Sequence, residues 1–368
     1  MATYFLHGWH GQLNAGDDAF AIVTNWGLRK YLYASKVVME SDKSRLLCKN
    51  YNINTVQINR LYVPGLARLR RQYFLSKTKA FILAGGSLFT ENSVVELQKN
   101  PIIKTHKTIG IGVSVGPFAS SQHEQNTLSL LNRMAYIGFR DDYSYAWAKS
   151  NNVNVPYKNA FDLAVLLPLA VQAYSKQRNE SQTIGISLLA FNSLKNKQEL
   201  NLDEDIAFIK ALAKVTHKIA QDKGFSIKLY SLCRHHIYND DVMCKAFIDA
   251  IPADSKIEIF QHNGDAYRTV MSMKQCSHII SMRLHGSVFA YLNQTPLLLF
   301  DYHLKCREFA KTVGLNSKFC LDLKNFDLEY YQECLISLLQ ESHIQTSLPL
   351  NVAQERALLN FSGHTNWN

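Results

Sequence analysis

The stretch SMRLHGSVFAYLNQTPLLLFDYHLKC, from Ser281 to Cys306, is apolar enough to hold two core elements, yet it carries Arg283, His285 and Lys305. A buried charge without a partner is costly, so each cation must reach solvent, meet an acid or hold an anionic ligand. The pattern predicts a strand at His278 to Ser281, a helix at Gly286 to Asn293 and a second strand at Pro296 to Phe300.

The same alternation extends outward in both directions. Short β-rich runs occur at Tyr4 to His7, Ala80 to Ala84, Thr108 to Val113, Tyr136 to Phe139, Thr183 to Leu188, Ser226 to Tyr230 and Lys256 to Phe260. Longer segments of helical period fall between them, most clearly Asp18 to Leu32, Asp205 to Lys223, Asp240 to Ile251, Gly264 to Gln275 and Leu328 to Gln340. Strands alternating with helices imply an α/β architecture of parallel sheets covered by helices. The polar, unpatterned QAYSKQRNESQ from Gln172 to Gln182 is the expected linker. It separates a first Rossmann-like domain, residues 1–172, from a second, residues 183–345. A tail of residues 346–368 follows, with Asn351 to Phe361 expected to form a helix that docks on the first half.

At 368 residues and 47% hydrophobic content the chain can fill two ordinary cores. The longest apolar run, FDLAVLLPLAVQAY from Phe161, is interrupted by Asp162 and Pro168, too short and broken for a bilayer span. MATYFLHG lacks the basic segment and apolar core of a secretory leader, and seven dispersed cysteines without a CxxC pair argue against a disulfide framework or a thiolate zinc site. These features point to the cytoplasm. The net charge of +10 favours anionic partners. The densest basic patch, LARLRRQYFLSKTK from Leu66 to Lys79, reads either as a solvated helix face or as a contact with an anionic membrane at its inner face. The first reading is the simpler of the two. No repeat, RNA-binding signature or zinc-finger spacing occurs, so nucleic acid is not an expected partner.

In an open parallel sheet, ligands sit beyond the carboxyl ends of the strands. The first strand leads into GWHGQLNAGDDAF, Gly8 to Phe20, which matches neither GxGxxG nor a P-loop. Asn14, Gly16, Asp17 and Asp18 in this loop offer amide and carboxylate partners for sugar hydroxyls, although a tight turn with a capping Asp accounts for the pattern equally well. AGGSLF supplies Gly85, Gly86 and Ser87, whose backbone N–H groups can approach a ligand closely. Arg140 ends AYIGFR, and Arg283, His285 and Gly286 stand where a helix N-terminus favours an anion. Lys305 follows the next strand and its DYHL turn. Three cations from two neighbouring strand ends suggest an anion pocket.

GWHGQLNAGDDAF, AGGSLF, IGVSVGP, FRDDYS and above all MRLHGSVFAYLNQTPLLLFDYHLK resemble, in order and spacing, the polysaccharide pyruvyl transferase family. The resemblance runs from about Tyr4 to Gly314. It implies a GT-B-like fold, two Rossmann-like domains with parallel sheets facing each other across a cleft. It also implies transfer of the pyruvyl group of phosphoenolpyruvate to a sugar of a cell-surface polysaccharide or its precursor, free or polyprenyl-linked, as a ketal. Phosphoenolpyruvate is then a co-substrate, with no further cofactor and no metal. By motif, Arg140, His285 and Lys305 match donor-binding and catalytic positions, and Arg283 matches by its place in RLHG. A histidine, with an ordinary pKa of roughly 6.5, suits the general acid, which gives His285 that role. Asp17 is the candidate for orienting or deprotonating the acceptor. The first loop, HGWHGQLNAGDD, departs from the commoner glycine-rich form ending NxGDE. The alternative reading is a GT-B nucleotide-sugar glycosyltransferase, because the fold does not fix the chemistry. The DxD within LDEDI at Leu202 fits an acidic first helical turn better than a metal site.

Overall fold

The computed structural model describes residues 2–41, 45–56, 66–99, 107–171, 181–191, 202–236, 239–255 and 257–366. Among them, strands β1 (Thr3–His7), β2 (Lys36–Glu40), β3 (Asn54–Val56), β4 (Ala80–Gly86), β5 (Lys107–Val113), β6 (Tyr136–Phe139) and β7 (Tyr157–Asn159) form one sheet in the order β3-β2-β1-β4-β5-β6-β7. Strands β8 (Thr183–Ser187), β9 (Ser226–Ser231), β10 (Glu258–Gln261), β11 (His278–Ser281), β12 (Leu297–Asp301) and β13 (Cys320–Asp322) form a second, β10-β9-β8-β11-β12-β13. The paired strands of both sheets run parallel. Helices connect most successive strands, the arrangement that parallel pairing demands.

Both sheets are wound outward from a central strand, β1 in the first and β8 in the second, so each has a point where the strand order reverses. In the first it lies between β1 and β4, in the second between β8 and β11. A crevice opens at the carboxyl ends of the strands at such a point. The register Leu6↔Ile82 and His7↔Leu83 brings the Gly8 loop beside Gly85–Gly86. Ser187↔Ser281 brings the end of β8 beside the turn that carries Arg283.

Central strands are apolar on both faces because helices cover both: Phe5, Leu6, Ile82, Leu83, Ile109 and Ile111 are 2% exposed or less, as are Ile184, Ile186, Ile279, Ile280, Leu298 and Leu299. Two compact units result. One comprises Met1–Gln12, Gly16–Tyr174 and Asn351–Asn368; the other comprises Leu13–Ala15 and Ser175–Leu350. The returning C-terminal segment is tied into the first sheet by fully buried Asn360, whose Oδ1 accepts from Gly112 N–H at 2.7 Å and whose Nδ2 donates to Phe161 O at 3.1 Å. The ring of Phe361 stacks on Tyr31 with centroids 5.7 Å apart.

Most of the expected linker, residues 172–180, lies outside the described residues. Asp203, Glu204 and Asp205 form the first turn of the helix Asp203–Asp222, where negative charge complements the helix dipole. The turn expected after β12 is shorter than DYHL, because a helix already begins at Leu304 and runs to Val313. Lys305 therefore belongs to a first helical turn. Among the described residues no helix is long and apolar enough to cross a membrane.

Candidate functional site

At the carboxyl edge of the first sheet, the loop after β1 is stapled from two sides. The ring of His10 donates from Nδ1 to the carbonyl oxygen of Asp17 at 2.8 Å, and Gly11 N–H donates to Asp18 Oδ1 at 2.7 Å. Asp18 is fully buried, so its carboxylate acts on the loop. Asp17 and Asp18 lie in the first turn of the helix Ala15–Leu32, and Asp17 lies next to the glycines that end β4. A Cβ on Gly86 would stand 3.4 Å from Asp17 Oδ1. Gly85 has φ +66°, and a Cβ there would stand 2.2 Å from the Phe20 ring, so the close approach of strand and helix requires glycine.

Arg140, 6% exposed, directly follows β6 at the same edge. Its guanidinium lies 3.8 Å from Asp141, 3.8 Å from Asp162 and 3.5 Å from Ser87 Oγ. Both carboxylates are also engaged as helix caps, Asp141 accepting from Ser144 N–H at 2.7 Å and Asp162 from Ala164 N–H at 2.9 Å. The contacts with Arg140 are consequently loose, leaving its fork able to turn toward an anion. Asp17, Gly85, Gly86, Ser87 and Arg140 thus share one edge of one sheet. Gly16 begins the same loop-to-helix turn, whereas Asn14 belongs to the other unit, where it bridges Cys233.

In that second unit, Arg283 caps the helix Leu284–Leu292 and His285 and Gly286 occupy its first turn. Gly286 has to be glycine, since a Cβ would stand 2.2 Å from Ser281 Oγ and 3.2 Å from Ser187 Cβ. Arg283 Nε lies 3.1 Å from each oxygen of Asp240, and its Nη2 also donates to that carboxylate. Burial would lower the guanidinium pKa, but the Asp240 charge outweighs it and holds the pKa above the ordinary arginine value. Burial pushes Asp240 up, with Arg283 and the N–H groups of Cys233 and Leu232 opposing.

Lys305 Nζ stands 5.5 Å from the ring centre of Tyr302, which is 9% exposed. Burial raises the Tyr302 pKa, while Lys305 and Arg283 pull against the rise. Both cations therefore act on one buried phenol, and the phenol stays protonated as a donor. At the end of β8, paired with Ser281, the hydroxyl of Ser187 is buried with no hydrogen-bond partner among the described residues, and the same holds for Ser287 in the helix Leu284–Leu292.

Three contributors escaped the sequence reading. Asp240 read only as a helix start, and its partner lies 43 residues away. Tyr302 stood in plain view one residue beyond a strand end. His10 lay within the GWHG loop, where nothing local announces that its ring turns inward. Among the described residues, no group of three or more His, Cys, Asp and Glu side chains is placed to hold a metal ion.

A family model described as polysaccharide pyruvyl transferase matches residues 14–303. No curated protein sequence matches the chain. Among solved structures it is similar to a putative UDP-N-acetylglucosamine 2-epimerase from Listeria monocytogenes, with TM-score 0.66 and 9% identity, covering 96% of this chain and 93% of that one. The UDP-GlcNAc 2-epimerase of Methanocaldococcus jannaschii gives TM-score 0.61 and 10% identity over 98% and 99% of the two chains. A glycosyltransferase from Rickettsia africae gives 0.52 and 11% over 100% and 96%. At such identities the likeness carries the fold alone, that of the GT-B class.

Proposed function

The chain belongs to the polysaccharide pyruvyl transferase family, and from that premise we propose that it moves the pyruvyl group of phosphoenolpyruvate onto a sugar, forming a ketal and releasing phosphate. The observation that carries this reading is that Arg283, at the strand-order reversal of the second sheet, and Lys305, just after the adjoining strand β12, both act on the buried phenol of Tyr302, with the Lys305 ammonium 5.5 Å from its ring centre. A donor with a phosphate and a carboxylate needs several cations and donors, and arginine forks with a lysine point charge supply them. The first turn of the helix Leu284–Leu292 adds N–H groups aimed at the same edge.

In the first step a sugar hydroxyl oxygen bonds to the enol carbon, its proton passes to a base, and the methylene carbon takes a proton to become a methyl group. In the second step another hydroxyl of the acceptor bonds to that carbon as the bond to the phosphate oxygen breaks, phosphate leaves with the electron pair, and the proton of that hydroxyl passes to the departing phosphate. Asp17 serves as the group that orients or deprotonates the acceptor, with Gly85, Gly86 and Ser87 shaping its seat. Gly16 and Asp18 support that loop. His285 serves as the general acid or assists departure of phosphate. Arg283 and Lys305 bind the donor and stabilise charge developing on phosphate, and Arg140 serves as an anion-binding group at the carboxyl edge of the first sheet.

The deciding experiment is mass spectrometry of candidate oligosaccharides incubated with the enzyme and phosphoenolpyruvate, looking for a pyruvate adduct, alongside calorimetry with phosphoenolpyruvate and a panel of nucleotide sugars. A pyruvate adduct is expected. The structural neighbours bear nucleotide-sugar names, so tighter binding of a nucleotide sugar, with no adduct, would replace this reading with glycosyl transfer.

A further inference from the structure

The positive charge of this protein is confined to one region. Between Lys43 and Thr90, 48 residues hold nine Lys and Arg and no Asp or Glu, against an excess of ten in the whole chain. The remainder is close to neutral. The described part of this segment forms the helix Arg45–Tyr51, β3, the edge strand of the first sheet, the helix Leu66–Ser76 and β4.

That helix buries one face and leaves the other bare. Leu75 is fully buried and Phe74 packs against the core, whereas Leu69 is 63% and Tyr73 62% exposed. Four residues apart, they lie on one stripe. Lys77 places its ammonium 5.9 Å from the Tyr73 ring.

Strand register extends the surface. β2 begins at Lys36, which lies beside Thr3; Lys79 N–H donates to Thr3 O at 2.7 Å; and Ala80 pairs with Lys107. Lys36, Lys79 and Lys107 therefore stand at the amino ends of neighbouring strands, with Tyr33, 85% exposed, just before β2. Glu40, four residues beyond Lys36, closes the opposite end of β2. This is the amino edge of the sheet, the edge away from Asp17, Gly86 and Arg140.

Cations alone would suit any polyanion. The added Leu69 and Tyr73 favour a surface that is negatively charged above and apolar beneath, with tyrosine at headgroup depth. Two apolar side chains are too few to hold a protein on a neutral bilayer, so the attachment has to be electrostatic first and apolar second.

We propose that the amino edge of the first sheet, together with the Leu69–Tyr73 stripe, docks the protein on an anionic lipid bilayer. The proposal does not depend on the donor or on the reaction. It is tested by sedimenting the full chain with vesicles of phosphatidylcholine alone and of phosphatidylcholine mixed with phosphatidylglycerol, at low and high salt. Binding is expected only to the mixed vesicles, and salt removes it. Lys36→Glu with Lys77→Glu lowers the bound fraction by roughly 30-fold or more. Leu69→Ser with Tyr73→Ser lowers it less. Lys214→Glu with Lys223→Glu, on exposed positions of the second unit, makes the same change in net charge and leaves binding intact. Circular dichroism confirms folding, and Lys36→Gln with Lys77→Gln stands in should the reversals unfold the chain. Equal binding to both vesicle types, equal loss in the Lys214/Lys223 control, or preference for a nucleic-acid oligomer at matched phosphate and salt would each overturn it.

Discussion

Arg283 and Asp240 form a forked ion pair in which the carboxylate residue is 2% exposed. A charge so placed is expensive to leave alone, so removing one partner costs more than the pair itself contributes. Asp240→Ala and Arg283→Ala should each destabilise the second unit by about 3–5 kcal/mol, and the double variant by less than the sum of the two. Denaturant titration of the four proteins reads the coupling. Additive losses would show that the pair is not a unit.

Tyr302 feels the charges of both Arg283 and Lys305, whose ammonium stands 5.5 Å from its ring centre. Its hydroxyl is protonated, since burial raises its pKa, so it can donate to an anion but cannot act as a base near neutrality. Tyr302→Phe should leave the thermal midpoint nearly unchanged and weaken phosphoenolpyruvate binding by roughly tenfold, the worth of one charge-assisted hydrogen bond. Calorimetry reads the affinity. An unchanged donor Kd with a lowered midpoint would make Tyr302 a core residue only.

Arg140 keeps company with two carboxylates at 3.8 Å, contacts too long to be tight forks. Arg140→Ala should cut turnover by about 10² or more if the guanidinium stabilises developing charge, and Arg140→Lys should not restore it, because a lysine cannot present a planar fork. Steady-state kinetics of the purified variants decide. Near-normal kcat in Arg140→Ala would remove the residue from the catalytic machinery.

Asn360 fills the space that Gly138 leaves, and a Cβ on Gly138 would stand 2.1 Å from its Oδ1. Losing Asn360 strands the N–H of Gly112, beside an irregularity in the β5–β6 register, and Val113 O next to it accepts from Arg140 N–H at 2.9 Å. Asn360→Ala should cost about 1–3 kcal/mol in the first unit. Gly138→Ala, which expels the same side chain, should match it. If Gly138→Ala were neutral while Asn360→Ala was not, the close fit between them would be wrong.

What could be read from the sequence follows from burial. Strands β1, β4, β5, β6, β8, β9, β11 and β12 are interior to their sheets, and their continuous apolar runs announce them to within two residues. Three of the four edge strands are half exposed and very short: β3 is NTV, β7 is YKN and β13 is CLD, too little to distinguish from loop. The fourth, β10, is legible at the edge because Ile257, Ile259 and Phe260 give it a β-rich run. β2 is interior, but its three apolar residues sit between Lys36 and Glu40 and resemble the flank of a helix. In the same way the cations at strand ends stood out, while the acids that balance them did not. Whether Asp240 faces Arg283 or water depends on how β9 and β11 are placed around β8, which no local pattern encodes.

His10 makes the stability of the first unit depend on pH with a definite sign. Its ring is 1% exposed, donates from Nδ1 to the Asp17 carbonyl, and holds Nε2 buried with no hydrogen-bond partner among the described residues. Burial lowers its pKa from 6.5 to about 4, against the opposing pull of the Asp17 carbonyl and the Asp18 charge and with a small push from His7. The folded ring is therefore neutral where the unfolded ring would take a proton. Between pH 6.5 and 4 the unfolded state binds more protons, so the stability present above pH 6.5 drains away as pH falls, by about 3 kcal/mol in all. His10→Asn removes the titrating group, and its stability should fall less steeply over that window. Denaturant midpoints of both proteins at pH 7, 5.5 and 4.5 provide the comparison. Parallel curves would mean that the buried ring takes up a proton as readily as a free one.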